Sequence, residues 1–302
     1  MTSNRRDFLA TSSLALAAGM FDPMRLFAQQ PAAAAPPTVP MFANLRRNVG
    51  TFTARGGTMG WLVTPDAVLV VDSQFADTSQ MFIDGMKSRT QRKFDVLINS
   101  HHHPDHTGGN KVLRPSVAKI VSHANVPGLQ RKQAAAGKTE ENQAYADETF
   151  TTDWKVSLGN EVVSAKYYGP GHTSGDVVIA FERANIVHMG DLMSHQRHPR
   201  VDRPSGASIR NWLKSLEDVT KDHNNDTIYI FGHAKVGAPI TGSRQDLLRL
   251  RDYFSALLDT VQKGIAAGRS AEEIVKAGLP AFAGDEGMPQ LQVAFDELTA
   301  KA

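Results

Sequence analysis

Residues 99–106 read Asn-Ser-His-His-His-Pro-Asp-His, so His101, His103, Asp105 and His106 fall within six positions. The apolar run Phe94–Ile98 reads as a buried strand and leads straight into them, placing these donors where a loop can turn their side chains into one space. Imidazoles at alternate positions, with a carboxylate beside a further imidazole, give enough donors for two adjacent first-row divalent ions. Pro104 stiffens the loop, and Gly108-Gly109 allow the close backbone approach that a ligand loop opening a helix requires. The chain has no cysteine, which removes disulfides, thiolate nucleophiles, iron–sulfur clusters and Cys-containing zinc sites. Any metal must use histidine, carboxylate and water.

Three later segments repeat the theme. Gly169-Pro170-Gly171-His172-Thr173-Ser174-Gly175-Asp176 is a sharp loop presenting one histidine between strands. In His188-Met189-Gly190-Asp191 a strand closes on an aspartate, and Ile230-Phe231-Gly232-His233 ends on a histidine. Each alone is weak, since a strand-end aspartate often caps a helix and a Gly-His pair is often a turn. In this order behind the His-x-His-x-Asp-His block they are specific, and they argue against a His-rich surface turn.

The body alternates short apolar runs with helical patterns, as a layered α/β domain does. Gly60–Thr64, the Pro65-Asp66 turn and Val68–Asp72 read as a hairpin, and residues 73–90 as a helix. Further strands are expected over 119–122, 162–168, 177–181, 186–189 and 227–231, and helices over 108–113, 125–136, 208–221 and 243–267. Leu247, Leu250, Phe254, Leu257, Leu258 and Val261 recur at helical spacing, a core stripe rather than a cofactor site. Ser270 and Glu273 form a capping box for a short helix that Gly278 and Pro280 end. With 33 Lys and Arg against 31 Asp and Glu, the formal charge of +2 lacks the field that a nucleic-acid binder needs.

The residues His101, His103, Asp105, His106, His172, Asp191 and His233, with the hairpin at 60–72, resemble the metallo-β-lactamase fold superfamily, and the resemblance covers the chain beyond residue 40. It implies a four-layer αββα sandwich with metals at one edge. His101, His103 and His172 would hold one ion, and Asp105, His106 and His233 the second, with Asp191 bridging. The missing cysteine excludes the β-lactamases that use one as a ligand. A second β-lactamase branch keeps the His-x-His-x-Asp-His block but generally lacks the bridging aspartate, so the set lies nearer glyoxalase II-like and lactonase-like hydrolases. The family usually has Gly-His-Gly at the last ligand, whereas Ala234 follows His233 here.

A carboxylate-bridged pair of divalent ions, with zinc favoured by these donors, lowers the pKa of a shared water and polarises a carbonyl. The expected reaction is hydrolysis of an ester, lactone, thioester or amide of a small molecule by a bridging hydroxide, with Asp105 as both ligand and proton shuttle. Competing readings are a β-lactamase, a mononuclear iron dioxygenase of a thiol compound, a phosphodiesterase, which the charge disfavours for a polynucleotide, and a non-catalytic binder that kept the fold. His102 is expected behind the ligands or in solvent, and His123, His188 and His223 as structural or exposed. In the loop 194–204, His195 or one of Arg197, Arg200 and Arg203 is expected to meet a polar or anionic end of the substrate. Residues 125–154 are expected as a solvated helical excursion, with a flap over the site as the alternative.

Ser3-Asn4-Arg5-Arg6-Asp7-Phe8-Leu9, an interrupted apolar stretch over 10–21 and the Pro/Ala run 31–37 resemble a twin-arginine export signal. The expected organisation is a signal over 1–28, a linker over 29–40 and one hydrolase domain over 41–302. Export would place the protein in the periplasm or outside the cell, with no stable membrane anchor after signal removal.

Overall fold

The computed structural model describes residues 39–300, all within one compact unit. The expected signal, and all but the last two residues of the expected linker, lie outside the described residues. The first half builds a seven-stranded sheet in the order β1 to β7. Its elements are β1 (Met41–Arg46), β2 (Val49–Thr53), β3 (Met59–Val63), β4 (Val68–Val71), α1 (Ala76–Met86), β5 (Phe94–Asn99), α2 (Pro104–Thr107), α3 (Asn110–Leu113), β6 (Val117–His123), α4 (Val126–Gly137) and β7 (Glu148–Phe150). Strands β1 to β4 pair antiparallel, whereas β4 to β7 run parallel.

The second half comprises β8 (Asp153–Leu158), β9 (Glu161–Lys166), β10 (Val178–Phe181), β11 (Ile186–His188), β12 (Ser194–His195), α5 (Ile209–Asp222), β13 (Ile228–Ile230), β14 (His233–Ala234), β15 (Thr241–Gly242), α6 (Arg244–Ala266), α7 (Ala271–Ala277) and α8 (Leu291–Thr299). The second sheet has the order β15-β13-β11-β10-β9-β8, and β12 pairs with β14 as a separate ribbon.

Side chains alternate across a strand, and continuous apolar strands therefore serve two cores at once. In β4, Leu69 and Val71 join Ile98, Val163, Ile179, Phe181 and Ile230 between the two sheets. Val68 and Val70 point the other way, into a core with Phe82 and Met86 of α1. On the far face of the second sheet, Val187, Tyr229 and Phe231 pack against Trp212 and Leu216 of α5 and Leu247, Phe254 and Leu257 of α6. The result is the helix–sheet–sheet–helix order expected of the αββα sandwich. No helix among the described residues is long and apolar enough to cross a membrane.

Several elements differ from the sequence expectation. The helix expected from Ser73 begins at Ala76, because Asp72 and Gln74 hold positive φ angles of 62° and 52°. The segment 125–154, expected as a helical excursion with a flap as the alternative, forms α4, a 3-10 turn and β7 and does not line the metal-cluster cleft. Leu129 and Tyr145 stay outside the metal-cluster cleft, where Arg131 stacks on the Tyr145 ring, and Phe150 packs on the inter-sheet core. The strands β1, β2, β7, β8, β12, β14 and β15 and the helices α2 and α8 have no counterpart in the sequence expectation.

Candidate metal centre

The loop after β5, the loop before β10, the turn after β11 and the start of β14 converge at one edge of the sandwich. His103 Nδ1 lies 3.1 Å from His101 Nε2 and 2.8 Å from His172 Nε2. Three ring nitrogens thus face one point, with Asp191 Oδ2 at 3.5 Å from His172 and 3.9 Å from His101. On the other side of Asp191, His106 Nε2 stands 3.0 Å from its Oδ1 and His233 Nε2 3.3 Å from its Oδ2. Asp105 Oδ2 completes this half at 3.0 Å from His233 Nε2. All seven expected donors come together, and they form two groups able to hold an ion, His101-His103-His172-Asp191 and Asp105-His106-His233.

The donor chemistry suits cations. His106 Nε2 and Asp191 Oδ1 are buried and face each other at 3.0 Å without the alignment of a hydrogen bond, an arrangement that a cation between donors would satisfy. Burial, with the neighbouring imidazole of His106 next, holds His101 neutral well below the ordinary histidine range. Burial likewise lowers His103 and His172, and neutral imidazole is the form that ligates. The second group is richer in carboxylate. Burial opposes charge on His106, but Asp191, Asp72 and Asp105 outweigh it and raise its pKa, while Asp191 raises His233 to about 9. Burial would also favour neutral Asp105, yet His106 and His233 bring it down to about 2.

Each of four ligand rings is fixed from behind, which sets its orientation and raises its basicity. His103 Nε2 bonds Asp202 Oδ2 at 2.8 Å, His106 Nδ1 bonds Asp72 Oδ2 at 2.7 Å, His172 Nδ1 donates to Arg200 O at 2.7 Å, and His101 Nδ1 meets Ser100 Oγ at 3.1 Å. Ser100 in turn donates from N and Oγ to Asp72, both at 2.7 Å. Asp72 pays for this with its left-handed backbone, a strain of about 1–3 kcal/mol that these bonds hold in place. Asp176, raised to about 6 by burial, accepts from Thr173 N and Oγ1 and so shapes the loop that presents His172.

Glycine lets two backbones approach the ligands. A Cβ on Gly57 would stand 2.1 Å from His106 Cε1, and one on Gly232 2.2 Å from Asp191 Oδ1.

The histidines outside the cluster have other tasks. His102 faces Ser205 Oγ at 3.3 Å, and burial takes its pKa down to about 3. His188 spans Thr58 O and the Gly190 N–H. The substrate role expected for His195 does not fit its position. Its Nδ1 donates to Pro239 O at 2.8 Å, its Nε2 lies 3.3 Å from Asp246 Oδ1, and its ring packs on Phe231. Arg203 is similarly committed, to Ala207 O and Glu297. Arg197 and Arg200 do line the metal cleft, a cavity of about 330 Å³ that also includes Ser194, His198, Gly287, Met288 and Gln290. A larger cavity of about 730 Å³ lies near the β1–β2 turn, among Arg46, Arg47, Arg89 and Arg92, and no member of the metal cluster lines it.

Sequence reasoning missed Asp72, Asp202 and the C-terminal wall at 287–290. Only Asp72 carried a signal, as the aspartate that ends the run Val68–Val71.

Comparison with known proteins agrees with this geometry. The family model described as the Metallo-beta-lactamase superfamily matches residues 53–233, and the chain belongs to that superfamily. It is 25% identical over 204 residues to a metallo-beta-lactamase type 2 of Bacillus cereus, covering 65% of this chain and 77% of the relative. It is 23% identical over 192 residues to a "probable metallo-hydrolase" of Methanocaldococcus jannaschii, covering 59% and 87%. Among solved structures, a metallo-beta-lactamase from Pontibacter korlensis superposes with a TM-score of 0.60 at 17% identity, over 72% of this chain and 99% of that one. The protein is a metal-dependent hydrolase of this superfamily, whose members bind divalent metals.

Proposed function

We propose that the protein is an exported dinuclear hydrolase that opens an ester, lactone, thioester or amide bond of a small molecule. The observation that carries this reading is Asp191, whose two carboxylate oxygens face donors of both groups. When bound, two divalent ions, with zinc favoured by the imidazole and carboxylate donors, supply an activated water and a Lewis acid for the carbonyl. Asp105 lines the cleft with its side chain 26% exposed, and its low pKa keeps the carboxylate ionised, the form that holds a cation; its place in the cleft is what suits it to relay a proton to the leaving group. Arg197 and Arg200 sit on the cleft wall, where an anionic group of the substrate would meet them. The ligand set supports a glyoxalase II-like or lactonase-like subtype, and the paired Arg5-Arg6 followed by Phe8-Leu9 supports twin-arginine export to the periplasm or beyond.

The names of the matched relatives favour β-lactam hydrolysis as a second reading. The test is metal analysis of freshly purified protein, paired with lactone, thioester, ester and nitrocefin substrates. Two ions per chain and turnover that Asp105→Ala abolishes are expected. One iron with oxygen consumption, or full activity in Asp105→Ala, would overturn the proposal, and turnover of nitrocefin alone would select the second reading.

A further inference from the structure

Beside the metal cleft lies a second cavity of about 460 Å³, whose walls include Val275, Leu279, Pro280, Ala283, Met288 and Pro289. His198, Gly287 and Met288 line both cavities, so the groove continues the cleft. We propose that this groove holds an apolar acyl or alkyl arm of the substrate whose carbonyl is cleaved at the metal centre, an assignment that rests on the hydrolase reading above.

Three observations point to that occupant. The groove wall is built in advance: His198 N donates to Glu286 O at 2.9 Å and Glu286 N to Gln196 O at 3.0 Å, tying the segment 283–290 to the cleft loop. The Arg249–Asp285 pair, at 2.5 and 3.0 Å, and the contact of Gln290 N with Tyr253 Oη at 3.2 Å fix it to α6. Second, the shared boundary is uncharged. His198 is 8% exposed, its Nδ1 is buried without a hydrogen-bond partner, and burial lowers its pKa. A neutral ring there can bond a polar atom next to the arm without repelling the arm itself. Third, Met288 is 73% exposed at the junction, an unbranched apolar side chain that adapts to a chain lying across it. An apolar recess opening onto a few convergent polar groups is the usual form of a small-molecule site.

The test uses the full chain loaded with zinc and a series of straight-chain carboxylates from acetate to decanoate, with affinity read by calorimetry. Each methylene that enters the groove should tighten binding by up to about fourfold, so decanoate should exceed butyrate by roughly 60- to 250-fold when three or four of its six additional methylenes enter. Ala283→Trp, at an exposed position of the wall, should flatten the series while leaving acetate within about twofold of the parent. Met288→Gln should weaken the longer members only. A flat series in the parent, an unchanged slope in Ala283→Trp, or a change of oligomeric state in that variant would overturn the assignment; the last would make the face an interface between copies. A steep series with no turnover of any ester, thioester or lactone would remove the hydrolase reading and leave the groove as an apolar site beside the metals.

Discussion

Gly57→Ala tests the second half of the metal centre with a single methyl group. Gly57 does not have a positive φ, so alanine suffers no backbone penalty and the whole effect comes from collision. Its Cβ would lie 2.1 Å from Cε1 and 2.3 Å from Nε2 of His106, whereas ordinary contact begins near 3.4 Å. One side must therefore yield by about 1.3 Å, the difference between 3.4 and 2.1 Å. The backbone at Gly57 is held by Asp105 O at 3.1 Å and by Gln74 Nε2 at 2.6 Å, while Asp72 Oδ2 grips the ring from behind at 2.7 Å. A ligand tolerates roughly 0.2 Å of error, so the shift exceeds the tolerance several-fold. On the two-ion reading proposed above, the variant should lose the ion at Asp105, His106 and His233 on desalting, keep the one at His101, His103 and His172, and lose about 1–3 kcal/mol of stability from overpacking. Metal analysis and thermal unfolding of the parent, Gly57→Ala, His106→Ala and the double variant provide the assay. With the ring absent the methyl has room, so the two substitutions should be strongly non-additive. Two ions bound with unchanged affinity in Gly57→Ala, or additive effects in the double variant, would refute the reasoning.

Asp202→Ala should weaken metal binding by about 10–100-fold, measured by chelator competition, and Asp202→Asn should recover part of the loss by still accepting from His103 Nε2. Arg197→Ala and Arg200→Ala should each raise KM by about tenfold or more for substrates bearing a carboxylate and leave neutral substrates unchanged, since a charge-assisted bond contributes about 1.5–3 kcal/mol. His188 donates to Thr58 O and accepts from Gly190 N, a pairing open only to neutral imidazole, and burial lowers its pKa below the ordinary 6.5. A folded pKa below the unfolded one means that its contribution is intact above about pH 6.5 and is lost as the pH falls below it. Melting of the metal-free protein should therefore drop between pH 7 and 5, with a shallower fall in His188→Asn; equal slopes would exclude the role.

Much of the sandwich is visible in the sequence because its strands are buried on both faces. The hairpin expected at 60–72 forms as β3 and β4, with Trp61 opposite Val70 and Leu62 opposite Leu69, and Phe94–Asn99 follows as the strand that delivers the donors. What was missed has physical causes. Strand β1 is an edge strand with mostly exposed residues, and Met-Phe-Ala-Asn-Leu-Arg shows no clean alternation. Residues 73–75 read as helical by composition, but Asp72 and Gln74 are held in left-handed conformations by the bonds that steady His106 and Gly57, so the site overrides local preference. The seven donors were legible because four sit in one block and three in short glycine-containing segments between strands. The contacts of Asp72 and Asp202 were not, since 34 and 99 positions separate them from the rings they hold and leave no spacing to read; Asp72 was marked only by its place at the end of a strand.

That division has a functional consequence. All seven donors lie between residues 101 and 233, inside the span that matches the superfamily, and so does the loop with Arg197 and Arg200. Gly287, Met288 and Gln290 close the cleft from outside that span, on a segment tied to the donor-bearing half by main-chain bonds at Glu286 and by the side-chain contact of Glu286 Oε2 with Val236 N. The strand ends fix where cations can sit, because ligand distances tolerate only a few tenths of an ångström. The wall has no such constraint: Ala283 and Met288 are exposed and supply no donor to the cluster. On the assignment proposed for the groove, selection among substrates falls to the C-terminal segment, and substitutions there should move KM from one acyl chain to another while metal content stays constant.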